Sequence, residues 1–320
     1  MMYLLHLLCY LAVSSAADIW ENFKVSHGKS YTSFEEDLHR KNIFEQNLKY
    51  VEEHNERFRE GLVTFDLKMN KFGDMTSEEF VALMTRPIGV NKVARRSFVH
   101  SPGVEMAENV DWRSKGAVTP VKDQGMVAQS GCYSAVAALE GIWFLKTGDL
   151  FDLSEQQLND CVPPGEDNIY MYVEAAYDYI KEAGGIDSEE TYGKKTNECL
   201  FNPDGVVANV TGYVDLPKED EVAMALAVHD VGPVSVLYDA GHMSFQFYSS
   251  GIYYEPACEG GFWPNHAMTA VGYGSSEGSA DYWILKNSWG TGWGEQGYVR
   301  VIRNKDNSCG VASWSCYPTV

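Results

Sequence analysis

The feature that most limits this chain is a break near residue 106, where charge and cysteine usage change together. Residues 18 to about 105 hold 13 Lys and Arg against 15 Asp and Glu, and no cysteine. The whole chain carries a formal charge of −20, so the rest holds −18, along with all seven cysteines. A nearly neutral arm followed by an acidic, cysteine-bearing body reads as two units. At 320 residues and 45% hydrophobic, the chain is large and apolar enough to fold both. The negative charge argues against nucleic acid or an anionic membrane as partner, since both need clustered positive charge. No run of about 18 apolar residues is present, so no membrane-spanning helix is expected.

Residues 1–17 read as a signal peptide: an apolar run from Met1 to Val13, then Ser14-Ser15-Ala16-Ala17. A secretory route is oxidising, so the six later cysteines can pair. Asn209-Val210-Thr211 is a sequon and makes Asn209 a candidate glycosylation site. The expected location is the lysosome or the extracellular space.

Glu35 to Arg59 has helical periodicity, with Leu38, Ile43, Phe44, Leu48, Val51 and Phe58 recurring among charges. After Thr85 the pattern lapses into a segment with Pro87, Gly89 and the dibasic pair Arg95-Arg96, which reads as an exposed linker open to cleavage. In the body, Ser130 to Lys146 is mostly apolar and stops at Thr147-Gly148, so a buried helix is expected. Residues 231–238, 251–254, 267–273, 281–286 and 297–303 read as strands between glycine turns. Helices first and strands later give an α+β, two-lobed body.

Within the arm, Glu36, Arg40, Phe44, Asn47, Val51 and Asn55 fall at the spacing of the ERFNIN motif. Asn70, Phe72 and Asp74 match a second pro-region motif, with Lys68 where its glycine usually stands. The arm therefore resembles the propeptide of a cathepsin L-like papain-family peptidase. The body is similar to the same family at Asp111-Trp112-Arg113, Asn265-His266-Ala267, Lys286-Asn287-Ser288-Trp289-Gly290 and Tyr317-Pro318-Thr319-Val320. The resemblance implies a papain-like fold: a helical lobe at about 117–216 with a long central helix, and an antiparallel, barrel-like β lobe at about 217–315. A helical inhibitory propeptide at 18–105 precedes the peptidase domain at 106–320 and blocks its cleft.

The resemblance also implies four catalytic positions: a nucleophile at the start of the long helix, a histidine, an asparagine that orients it, and a glutamine that stabilises the oxyanion. They fall on Ser130, His266, Asn287 and Gln124. The nucleophile position thus carries serine instead of cysteine. Cys132 lies two residues away, about 200° around the helix, so it is the alternative nucleophile and is expected to point away from His266. Serine cannot form the thiolate–imidazolium pair in advance. It would need a neutral His266 as base, and at its ordinary pKa of about 6.5 that histidine would be mostly protonated in an acidic compartment. The substrate-binding positions are Tyr170 and Met171, where the family has close-approach glycines, Trp314 at the base of a specificity pocket, and Trp289 beside Asn287. Gly131 stands where the family has tryptophan. These changes favour weak or lost peptidase activity.

The family's disulfides correspond to Cys161–Cys199 and Cys258–Cys309. A third has lost both halves, one of them at Val127. Cys132 and Cys316 are extra, either as a new bridge or as two buried thiols. His229 and His242 read as loop or surface residues. No metal or cofactor is expected. Three functions stay open. One is a thiol endopeptidase precursor with impaired catalysis, or one working through Cys132. The second is a non-catalytic protein that binds a peptide, or another cathepsin, through its cleft or propeptide. The third is a silicatein-like scaffold. Expected partners are a peptide or protein in the cleft and the chain's own propeptide, in a monomer.

Overall fold

The computed structural model describes residues 16–85, 98, 106–163, 173–193, 198–258, 264–275 and 280–320. Residues 1–15 of the expected signal, the Arg95-Arg96 pair, Tyr170 and Met171 lie outside the described residues.

The arm opens with α1 (Ala16–His27), α2 (Phe34–Arg59), the short β1 (Phe65–Leu67) and α3 (Ser77–Met84). The 26-residue α2 matches its expected span, and its ends explain it. Ser33 caps the start by accepting from the Glu36 N–H at 3.1 Å. Glu35, Glu36 and Asp37 fill the first turn and Arg57 and Arg59 the last, so side-chain charge opposes the helix dipole at both ends. Its inward face is Ile43, Phe44, Asn47, Val51 and His54. Helix α3 starts with a capping box between Thr76 and Glu79. Asn47 is buried and donates through Nδ2 to the carbonyls of Gly73 and Met75, both at 2.9 Å. Replacing Asn47 with Ala would strand two buried carbonyls. We expect the arm to lose about 2 kcal/mol, read as a lower denaturant midpoint for the arm's far-ultraviolet signal.

The body begins at β2 (Val110–Asp111) and α4 (Ser130–Thr147), followed by α5 (Glu155–Cys161), α6 (Val173–Ala183), β3 (Ile186–Asp187), α7 (Glu189–Tyr192) and β4 (Val206–Ala208). The second half is β5 (Gly212–Asp215), α8 (Glu221–Asp230), β6 (Val234–Tyr238), α9 (Met243–Gln246), β7 (Tyr248–Tyr253), β8 (His266–Gly274), β9 (Tyr282–Lys286), β10 (Tyr298–Ile302) and β11 (Ser315–Thr319). The five runs read as strands correspond to β6 to β10. Helix α4 is buried along most of its length and stops at Gly148, whose φ of 87° is the left-handed conformation glycine allows. Gly141 on α4 has no room for a side chain, because a Cβ there would lie 2.5 Å from Pro233 Cγ. That contact seats the helix against the segment leading into β6.

Nine strands form one sheet in the order β1-β7-β10-β9-β8-β6-β11-β5, with β2 pairing β8. Most pairs are antiparallel, and β7 with β10 is parallel. Two features were not anticipated. The arm's β1 adds to the edge of the body's sheet, Phe65 opposite Gly251. Strand β5, within the range expected for the helical lobe, pairs with β11. One core cluster lies over the sheet and takes in the arm's Phe65, Phe72 and Phe80. A second surrounds α4 and α6.

The disulfides Cys161–Cys199 and Cys258–Cys309 are both formed. Cys132 and Cys316 are buried and not bridged, which resolves that pair in favour of separate thiols. Among the described residues no helix is long and apolar enough to cross a membrane.

Candidate active site

Ser130 is the first residue of α4, and His266 the first of β8. The two meet where α4 lies against the sheet: the Ala267 N–H donates to Ser130 Oγ at 3.1 Å. His266 Nε2 donates to Asn287 Oδ1 at 2.8 Å, and that oxygen also accepts from the Ser288 N–H at 2.8 Å. Occupying Nε2 in this way leaves Nδ1 as the basic nitrogen. Nδ1 is buried and has no hydrogen-bond partner, so the Ser130 hydroxyl does not reach it.

Gln124 is held at both ends. Its Oε1 accepts from Ser288 Oγ at 2.5 Å, and its Nε2 donates to the Val127 carbonyl at 2.7 Å. A side-chain amide has two N–H donors, so one is left for an oxyanion. Its backbone N–H also donates to the Ser288 carbonyl at 2.8 Å. The segment carrying Gln124 is thereby laced to the one carrying Asn287. Behind them, Lys286 Nζ donates to Thr119 Oγ1 at 2.8 Å, and Thr119 donates to Glu140 of α4 at 2.6 Å. Lys122 reaches Asp152 at 2.6 Å and Glu155 at 2.8 Å. The four expected positions are thus brought together and braced against α4.

Cys132 belongs to the core around α4, among Ala135, Val136 and Leu139. Burial pushes its thiol up to about 12, so no thiolate forms there near neutral pH. Trp314 packs against the same cluster with Leu237 and Ala267, and Lys218 Nζ lies 4.6 Å from its ring centre. The backbone carbonyl of Trp314 accepts from the Leu237 N–H at 2.9 Å, which ties it to strand β6. Trp289 is buried, with the arm packed over it. Its ring lies 4.6 Å from the His266 ring, and the arm's Phe72 and Phe80 meet it edge-on at 5.6 and 5.3 Å.

One expectation is corrected. His266 has no solvent exposure, and burial lowers its pKa to about 4 against one raising contact, Asn287. It is neutral, not charged, at mildly acidic pH. Its folded value lies below its unfolded value of about 6.5, so between these values the unfolded chain binds the extra proton. Stability therefore falls as pH drops through that window, by roughly 3 kcal/mol in all. A histidine-labelled NMR titration of the full chain is expected to show the His266 ring still neutral at about pH 5. A midpoint near its ordinary value would contradict the burial argument.

Several working contacts were not singled out from the sequence. Lys71 of the arm bonds both carboxylate oxygens of Asp123 at 2.6 Å, next to Gln124. Asn70 donates to the Gln246 carbonyl at 2.8 Å, and Gln246 Nε2 donates to the Phe72 carbonyl at 3.1 Å. The opposite charges of Lys71 and Asp123 were visible, but nothing in the sequence paired them across 52 residues.

His229 bonds its neighbour Asp230, and His242 lies near Asp239 and Cys258. His242, Cys258 and Cys309 sit close enough to share an ion, but the two sulfurs form a disulfide and offer no thiolate. Asn209 is exposed in the loop between β4 and β5.

Residues 106–319 match the family model described as papain family cysteine protease, and residues 20–80 match the cathepsin propeptide inhibitor domain. The chain is similar to digestive cysteine proteinase 2 of Homarus americanus, 47% identical across 98% of each chain. It is 42% identical to procathepsin L of Felis catus, over 94% of this chain and 92% of that one. Among solved structures it resembles digestive procathepsin L 3 of Tenebrio molitor larval midgut. The TM-score is 0.87 at 41% identity, covering 95% of this chain and 99% of that one.

Proposed function

Because the chain belongs to the papain family of cysteine proteases, is cathepsin L-like and carries the family's propeptide domain, we propose that it is a zymogen with Ser130 at the nucleophile position. Its thiol endopeptidase activity is weak or lost, and its cleft binds peptide more readily than it cuts it. The observation that carries this reading is the place of Ser130. It opens α4, its Oγ is on the Ala267 N–H, and the unpartnered His266 Nδ1 belongs to the adjoining residue. The nearby thiol, Cys132, is in the core with its proton held. A serine hydroxyl loses its proton only to a base that it touches during reaction, and here the two do not touch.

A secretory route to the lysosome or the extracellular space, with glycan at Asn209, goes with this reading. So does the digestive role that the lobster relatives' names state. The test is labelling of the processed chain, freed of its propeptide and shown in parallel to be folded, with an epoxysuccinyl probe, read by peptide mass mapping. No cysteine is expected to carry label. Label on Cys132 would overturn the assignment of Ser130 and make this a working thiol peptidase with a rearranged site.

A further inference from the structure

Away from the catalytic frame, the fold gathers three donor groups at one point. Glu174 stands in the first turn of α6, Asp215 ends β5, and Cys316 lies in β11. Strand β11 runs antiparallel to β5, with Cys316 directly opposite Asp215. A carboxylate oxygen of Glu174, one of Asp215 and the Cys316 Sγ all lie within 4.8 Å of one another. Two half-buried carboxylates alone would mean little, because water solvates such pairs readily. The thiol is a separate observation. Cys316 is 4% exposed and forms no disulfide, and it has no hydrogen-bond partner among the described residues. Its sulfur nonetheless faces both carboxylates. A side chain that served only to fill the core would gain nothing from that company.

We propose that Glu174, Asp215 and Cys316 bind one zinc ion, which ties the head of α6 to the β5–β11 pair. The donor set selects the metal. Zinc bonds are about 2.3 Å to thiolate and about 2.0–2.2 Å to carboxylate oxygen. Around a tetrahedral centre these lengths put neighbouring donor atoms about 3.3–3.6 Å apart. Small side-chain rotations reach that spacing from the separations present here. Calcium and magnesium take oxygen donors and leave a thiol unused. Copper(I) is served by soft sulfur ligands, and two of these three are carboxylates. Tyr177 packs in the same cluster, but its hydroxyl is hydrogen-bonded to Ser235 Oγ at 3.1 Å. The fourth position therefore falls to water on the carboxylate side, where the cluster is only half-buried.

Coordination breaks the Cys316 S–H bond. The sulfur electron pair goes to zinc and the proton goes to solvent. Burial and the two carboxylates hold that proton firmly, so the ion that displaces it must bind thiolate strongly, as zinc does. The expectation of no metal rested on ligand spacing along the chain. These three residues are far apart in sequence and match no such spacing, and only the pairing of β5 with β11 and the seating of α6 bring them together. The inference uses none of the catalytic positions and stands whether or not Ser130 is active.

The test uses the full chain, stripped with a chelator and then titrated at about pH 7 with Zn²⁺ by calorimetry and with Co²⁺ by absorbance. One Zn²⁺ per chain is expected, and Co²⁺ is expected to give a sulfur-to-metal charge-transfer band. Cys316→Ser is expected to abolish the band and to weaken zinc binding about 100-fold or more. Glu174→Gln changes a half-buried side chain at nearly constant shape, so it keeps the fold. It is expected to retain the band and to weaken zinc binding about tenfold or more. Near-ultraviolet circular dichroism checks the folding of both variants. No zinc binding at about 100 μM free ion, a band that survives Cys316→Ser, or an affinity unchanged in Glu174→Gln would each overturn the proposal.

Discussion

Replacing Ser130 with cysteine is expected to raise hydrolysis of a small peptide amide by about 10³-fold or more, since loss of a nucleophile costs at least that in comparable triads. The same change is expected to let the full-length chain shorten itself under acid conditions. On the reading of Ser130 as the nucleophile position, the groups a thiol there would use are already in place. The Ala267 N–H meets the position, Asn287 fixes the tautomer of His266, and Gln124 is locked through Ser288 and Val127. A longer C–S bond closes part of the gap to Nδ1, and a thiolate is stabilised at the bare head of α4. The anion would in turn raise the pKa of His266, which burial alone now depresses. Rates are compared with the parent chain and with Ser130→Ala. If Ser130→Cys is no faster than the parent, the fault lies in the cleft walls. Combining it with Trp314→Ala then asks whether the indole packed on the α4 cluster excludes the substrate.

The parts of this molecule that could be read in advance are those whose cause is local. Helix α2 announces itself by period, cap and end charges, and α4 by an apolar run that halts at Gly148. The strands β6 to β10 are β-branched or aromatic runs cut by glycine turns. The site is different. Ser130 and Ala267 meet across 137 residues and Gln124 and Ser288 across 164, and no periodicity links such positions. Only resemblance to a family placed them together. Neither route anticipated the burial of His266, because it depends on Trp289 lying over the ring with Phe72 and Phe80 against that indole. Strand β1 is three residues long, too short for alternation to show. Its pairing with β7 is a tertiary fact with no local signature.

The expected result of Phe72→Ala is release of the propeptide from the body with the body still folded. Phe72 has no solvent exposure, and its ring meets Phe80 at 5.2 Å and Trp289 at 5.6 Å, both edge-on. Truncating such a ring removes about 3–5 kcal/mol of packing, a large share of the 5–15 kcal/mol that holds a typical domain together. Here the loss falls on the contact between two units, because Phe72 belongs to the arm and Trp289 to the body. The hydrogen bonds from Asn70 Nδ2 to the Gln246 carbonyl and from Gln246 Nε2 to the Phe72 carbonyl do not replace the ring. Hydrogen exchange is expected to speed up about 10²- to 10³-fold in β1 and α3 and to stay slow in β9 and β10. Phe72→Leu, which keeps most of the volume, is expected to show about a tenth of that acceleration or less. Unchanged protection in β1 and α3, or equal loss throughout the body, would defeat the claim that this ring is a principal docking contact. A second consequence follows at the site. With Phe72 gone, water reaches Trp289 and then His266, so the imidazole pKa should climb from about 4 toward its ordinary value. The aromatic plug is therefore expected to do two things at once: to fasten the propeptide, and to help keep the histidine beneath Trp289 uncharged.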